Sequence, residues 1–298
     1  MEKKNYKGWL YLLPAILFLG IFMVYPLVDV FIYSFEEGYN YASQTSYGMG
    51  GYNYSYVLHD TYFLQAVKNT FILVIITVPI STGLALLISM GLSSIKPLRN
   101  LYQTIYFLPY VTNTLAVGLV FMILFKKTPY SDGMVNVLIN FFGGSSVDFI
   151  DGPYWAKMFV LCFYTIWVVM PFKVLILTSA LASVNPIYYN AAKVDGTSDL
   201  KYLWKVMIPL ALPTLISITI LKMMGAWNSY VWPRLVANDE AYRLITNGLR
   251  NAFTESTGDV NIPVQMAAVA IVSFPLFLVF IFLRKYIMKG VSRSGIKG

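Results

Sequence analysis

Apolar residues run in long blocks along this chain, separated by shorter connections rich in polar residues, Gly and Pro. A hydrocarbon core about 30 Å thick takes roughly 20 largely apolar residues in helical form. Blocks at residues 9–35, 66–92, 101–125, 156–182, 210–233 and 263–287 reach that length, each interrupted by isolated Pro, Gly or polar residues. The pattern predicts an all-α membrane protein with about six transmembrane helices. The spanning domain is expected over 9–289, with 1–8 as an N-terminal extension and 290–298 as a tail. The first block is too long for a cleaved signal peptide, and no small-residue cleavage pattern follows it, so it is read as a span.

The polar connections set the orientation. Positive residues near span ends favour the cytoplasmic side. With six spans both termini share a side, and that side carries Lys3, Lys4, Lys7, Lys96, Arg99, Lys193, Lys201, Lys205, Arg284, Lys285, Lys289, Arg293 and Lys297. The opposite connections are poorer in cations, with Lys126, Lys127, Arg234, Arg243 and Arg250, and collect Glu36, Glu37, Asp60, Asp132, Asp148, Asp151, Asp239, Glu240, Glu255 and Asp259. Both termini are therefore expected in the cytoplasm. The net charge of +8 is accounted for by these flanking cations and does not call for a nucleic-acid partner.

Composition excludes much chemistry. The single Cys162 lies within a span, so neither a disulfide framework nor a thiol metal motif exists. His59, the only histidine, has no second His with which to build a zinc or His-based catalytic site, and a loop position is expected for it. No phosphate-binding G-x-x-x-x-G-K-[ST] occurs, so any nucleotide that drives this protein binds to another chain. The Tyr-rich GYNYASQTSYGMGGYNYSYVL suits a membrane interface or a sugar-facing surface, since tyrosine joins an apolar ring to a polar tip.

One inward connection is long and carefully punctuated: NPIYYNAAKVDGTSDLKYLWKVMIPLALP, Asn185 to Pro213. Asn185 caps free N–H groups and Pro186 is tolerated at the first helical position, so a short helix should cover Ile187 to about Val194. DGTS then ends it, with Gly196 free to take positive φ. A second short helix should begin near Asp199, its apolar stripe including Leu203, Trp204 and Met207, before Pro209 and Pro213 open the fifth span. The result is a rigid two-helix projection rather than a slack loop.

NAA at Asn190–Ala192, then Asp195–Gly196, then Val206, Ile208 and Pro209 resemble the EAA loop of ABC importer permeases, in both residues and spacing. MPF at Met170–Phe172 and WNSYVWP at Trp227–Pro233 resemble that family's carbohydrate branch. The opening is similar to a maltose-type first permease and the ending to a second permease, so the subunit class stays open. Where the family usually has Glu, this chain has Asn190, which can hydrogen-bond but cannot form an ion pair.

The resemblance implies one of two permease subunits of an importer in a bacterial or archaeal plasma membrane, a non-enzymatic part of the machine. A second permease, two ATPase subunits holding ATP and magnesium, an extracellular solute-binding protein, a sugar or oligosaccharide substrate and membrane lipid are the implied partners, with no nucleic acid, no metal and no cofactor on this chain. Pro186, Asn190, Ala191, Ala192, Asp195, Gly196, Val206, Ile208 and Pro209 are then the residues coupled to the ATPase, and Gly295–Gly298 an additional contact. Asn113, Trp167, Trp227, Asn228 and Tyr230 are candidates for the substrate path, the amides for hydroxyls and the rings for sugar faces. Lys173 and Lys222 are expected to snorkel toward span ends. An ion-gradient-driven secondary transporter of a small polar solute is the alternative, but it has no need of a long EAA-spaced inward loop.

Overall fold

The computed structural model describes residues 6–40, 42–95, 99–237, 239–251, 253 and 260–295. Helices α1 (Tyr6–Leu19) and α2 (Tyr25–Ser34) are joined by a π-helical turn, Gly20–Val24. A hairpin of β1 (Glu36–Glu37) and β2 (Gly48–Met49) leads to α3 (Tyr52–His59) and the long α4 (Thr61–Ser94). Then come α5 (Arg99–Val111), α6 (Thr114–Phe125), α7 (Met134–Phe141) and α8 (Tyr154–Ala182). Helices α9 (Pro186–Val194) and α10 (Asp199–Tyr202) precede a second π turn, Leu203–Met207, which runs directly into α11 (Ile208–Trp227). The chain ends in α12 (Val231–Val236), α13 (Ile245–Asn251) and α14 (Ile262–Gly295).

Among the described residues five helical stretches are long and apolar enough to cross a membrane, and a sixth is formed if α5 and α6 count together. The number agrees with the six expected blocks. The third block differs in shape: instead of one helix over 101–125, α5 and α6 meet at a 91° bend, with the break at Thr112–Asn113. Hydropathy averages across such a break and does not register it. The fifth block is also interrupted, because α11 ends at Trp227 and α12 starts only at Val231.

The chain forms two compact units, Met1–Leu64 with Leu249–Pro275, and Gln65–Gly248 with Leu276–Gly298. In the first, the rod from Gly8 to Ser34 has none of its apolar window buried within the chain. Behind it the hairpin is locked by side chains. Asn53 Nδ2 donates to the carbonyls of Ser34 at 3.1 Å and Glu36 at 2.7 Å, Ser34 Oγ meets Tyr54 Oη at 2.7 Å, and Glu37 Oε1 accepts from Tyr52 N–H. The Tyr-rich segment divides accordingly: Tyr54 packs on Phe35 while Tyr47 and Tyr52 stay exposed.

The second unit is organised around α8, half of whose apolar window is buried. One core joins Leu73 of α4, Phe121 and Phe125 of α6, Leu161 and Tyr164 of α8, and Trp232 of α12. Tyr164 stacks on Trp232 with centroids 4.2 Å apart, and Phe121 meets Tyr164 edge-on at 5.1 Å. A smaller cluster holds Ala85 and Leu92 of α4 against Val174 and Leu177 of α8. Small residues at such contacts let helix backbones approach, as membrane packing requires.

Candidate functional site

The segment between α8 and α11 folds as its punctuation dictates. Asn185 adopts extended backbone, and its Oδ1 accepts from Ile187 N–H at 3.0 Å, while Pro186 occupies the first helical turn. At the far end of α9, Thr197 N–H bonds the Ala192 carbonyl at 2.8 Å and Gly196 N–H bonds that of Lys193 at 3.2 Å. This paired closure requires a left-handed residue, and Gly196 supplies it with φ +65°. A Cβ added to Gly196 would meet nothing within 4 Å, so the backbone angle, not crowding inside the chain, selects glycine here.

Asn190, Ala191, Asp195 and Gly196 are exposed on this unit and Ala192 is partly so, beside outward-facing Ile187, Tyr188 and Val194. The helix is held from below by one aromatic contact, the edge of Tyr189 against Tyr202 at 5.4 Å. Tyr202 is buried, and burial first, with Tyr189 second, raises its phenol above the ordinary pKa. The anchor therefore stays neutral at physiological pH.

The second half departs from expectation. No separate short helix follows Gly196; α10, the π turn and α11 form one uninterrupted helical run into the membrane. Val206, Ile208 and Pro209 lie within that run, not on the projection. The wider turn is closed by Ile208 N–H on the Leu203 carbonyl, just before Pro209, which has no N–H to donate. The expected apolar stripe is uneven: Leu203 is buried and Trp204 is two-thirds exposed. The tail residues 296–298, expected to add a contact, lie outside the described residues.

The five path candidates lie at the start of α6, on α8 and around the junction of α11 and α12. Asn113 caps α6, its Oδ1 accepting from Leu115 and Ala116 N–H at 2.9 and 3.2 Å, beside the break in the third span. Asn228 caps the end of α11, and its Nδ2 donates to the Met224 carbonyl at 3.0 Å. Trp227 is buried edge-on against Phe71 at 5.0 Å, and Trp167 packs on Phe121 at the same distance. Tyr230 is half-buried at the start of α12, where its carbonyl accepts from Asn247. Asn113 and Asn228 are exposed in this chain; the two indoles serve its packing.

Sequence reasoning placed Lys173 wrongly. It does not snorkel: it is fully buried, with Nζ donating to Ser81 Oγ at 2.7 Å, Thr82 Oγ1 at 2.8 Å and the Val78 carbonyl at 3.2 Å. Lys222 does not reach a span end either, but lies over the rings of Phe172 and Tyr110, 3.9 and 4.7 Å from their centroids. His59 is the last residue of α3, bonded through Nδ1 to the Ser55 carbonyl, and lines an open groove of about 440 Å³ with Tyr52 and Tyr56. Among the described residues no group of three His, Cys, Asp or Glu side chains gathers that would hold a metal.

The sequence that folds in this way matches a known family. Residues 81–293 match the model of the binding-protein-dependent transport system inner membrane component. The chain belongs to that family. It is similar to the lactose transport system permease protein LacF of Rhizobium radiobacter, 30% identical over 84% of this chain and 77% of that one. It is 28% identical to the arabinooligosaccharides transport system permease protein AraP of Halalkalibacterium halodurans, over 73% of this chain and 67% of the relative. Its fold is similar to a solved chain of a bacterial alginate ABC transporter in complex with an alginate pentasaccharide-bound periplasmic protein, with a TM-score of 0.76, 18% identity, and 96% and 99% of the two chains covered. The protein is thus a multi-pass inner membrane permease.

Proposed function

We propose that this chain is one of two membrane-spanning subunits of an ATP-driven importer, passing a sugar or oligosaccharide handed over by an external solute-binding protein. ATP and magnesium belong to two partner ATPase subunits, consistent with the absence of a nucleotide-binding motif in the sequence. Both termini and the segment Asn185–Gly196 face the cytoplasm in this reading, following the distribution of Lys and Arg. The lactose and arabinooligosaccharide systems of the relatives support the sugar assignment, and the binding-protein complex of the structural neighbour supports the external partner.

The observation that carries the proposal is the closed unit from Asn185 to Thr197. Capped at both ends and pinned by Tyr189, it presents an exposed face that can enter a partner and move with it as a body. Closure of the ATPase dimer then tilts α9, and the continuous run through α11 carries the displacement into the membrane. Expression with neighbouring reading frames tests this directly. Detergent extracts should yield the chain with a second permease and an ATPase, and proteoliposomes should take up solute only with ATP and the loaded binding protein. Full uptake driven by an ion gradient without ATPase would establish the secondary-transporter alternative instead.

A further inference from the structure

Lys173 and Lys222 both lie in spans of the second unit, and they are treated differently. Lys173 has a hydroxyl or carbonyl oxygen for each ammonium proton. Lys222, half-buried on α11, has ring faces instead: Phe172 and Tyr110 hold its Nζ, and the two rings lie 5.1 Å apart. Rings stabilise the charge without accepting its N–H bonds as oxygens do. Among the described residues no oxygen acceptor and no carboxylate meets Lys222; the paired acids are Asp239, with Lys157, and Glu240, with Arg243.

The position adds to this. Tyr110 stands just before the break at Thr112–Asn113, and the residues of the break are exposed in this chain. Lipid cannot satisfy irregular backbone, so such a break lines a water-filled cavity or meets protein. A partly exposed ammonium with open donors, resting on two rings beside that break, is completed by a negative group and by an apolar ring face.

We propose that Lys222, with Tyr110 and Phe172, forms a subsite for the negative group, carboxylate, sulfonate or phosphate ester, of an acidic saccharide. The inference rests on the importer reading above and narrows its substrate class. An anionic lipid headgroup shares the chemistry, and the test separates the two.

The complex of this chain with its co-purifying subunits is placed in nanodiscs of neutral phosphatidylcholine and titrated with digalacturonate and with lactose. Digalacturonate should bind about tenfold more tightly, the scale of one charge-assisted contact. Lys222→Met should abolish that preference and Lys222→Arg retain it. In the unmutated complex, added salt should weaken digalacturonate binding and leave lactose binding unchanged, a readout independent of how the variants fold. Equal binding of both probes, or a preference that survives Lys222→Met, would overturn the proposal. So would loss of the second permease from the Lys222→Met complex, which assigns the cation to subunit pairing. Displacement of digalacturonate by small amounts of phosphatidylglycerol would likewise assign the site to lipid. ATP-dependent uptake by the same preparation is scored separately, so a neutral-sugar importer sinks the subsite and leaves the importer standing.

Discussion

Lys173 donates from Nζ to Ser81 Oγ at 2.7 Å within the membrane-spanning part of the chain, and that hydroxyl also bonds the Thr77 and Val78 carbonyls of its own helix. The partners are therefore unequal. Removing the lysine leaves the hydroxyls of Ser81 and Thr82 bonded to their own backbone; removing a hydroxyl leaves a buried ammonium short of an acceptor. Ser81→Ala should cost about 1–3 kcal/mol, the penalty of an unmet buried polar group. Lys173→Met, similar in volume, should cost about 1 kcal/mol or less, because buried charges are often replaced by apolar isosteres without loss. Melting of the detergent-solubilised complex followed by intrinsic fluorescence ranks the two; a larger drop for Lys173→Met would show a net favourable cluster.

The same lysine shows where sequence reading stops. Asn185–Pro186 and Gly196 were legible because caps and positive φ are decided within a few residues. The number of spans was legible because bilayer thickness fixes their length. Ser81 and Thr82 lie 92 and 91 residues from Lys173, and no local pattern announces that they converge on it. Asn113 carried an ambiguous signal: an amide inside an apolar block marks either a ligand contact or a helix start, and the break it caps is invisible to averaged hydropathy.

Lys157, also buried, pairs with Asp239 at 3.0 Å, and its ammonium is also 4.0 Å from the Tyr242 ring. Tyr242 stacks on Tyr154, whose hydroxyl donates to Asn69 Oδ1, and Asn69 in turn holds the carbonyls of Ala241 and Arg243. The whole set pins residues 239–243 to α4 and α8. Asp239 is 68% exposed, so water screens part of the attraction. Asp239→Asn should accordingly cost about 1 kcal/mol, well short of a fully buried pair. Lys157→Ala should cost about 2–3 kcal/mol through lost packing and the ring contact. Thermal melts of both variants check the order, and a larger effect for Asp239→Asn would contradict the screening.

Gly196 has a positive φ and open space where a Cβ would point. Within the chain alone, Gly196→Asn should be mild, since Asn adopts this backbone at a cost of about 1 kcal/mol or less. Any large functional loss must then arise where the projection meets its partner. Gly196→Asp is expected to abolish uptake while membrane insertion is unchanged, because bulk and an unpaired charge enter the docking face. Gly196→Asn, nearly equal in volume, should retain partial uptake, and the difference between them measures the charge. Transport assays normalised to membrane level decide; normal uptake in Gly196→Asp would sink the coupling role.

Pro209 and Pro26 share an arrangement that points to a mechanical role for the former. In each case the carbonyl four residues earlier, of Lys205 or Phe22, belongs to a π turn, and the residue before the proline closes that turn onto Leu203 or Gly20. A proline ring collides with that carbonyl in a regular helix, and the wider turn moves it aside. The π turn thus sets the rotation of the helix bearing Tyr202, and through Tyr189 the direction in which α9 points. Pro209→Ala restores the missing N–H and permits a regular turn, rotating everything before it by on the order of 100°, one residue's share of a helical turn. Stability should be unchanged or higher, since alanine is favoured over proline inside a helix by up to about 3 kcal/mol. Uptake should fall sharply, because the projection no longer faces its partner. A cysteine introduced at Asn190 reports the rotation directly: cross-linking to the ATPase should be efficient in the parent and lost in Pro209→Ala. Retained cross-linking and retained uptake would show that the wide turn does not aim α9.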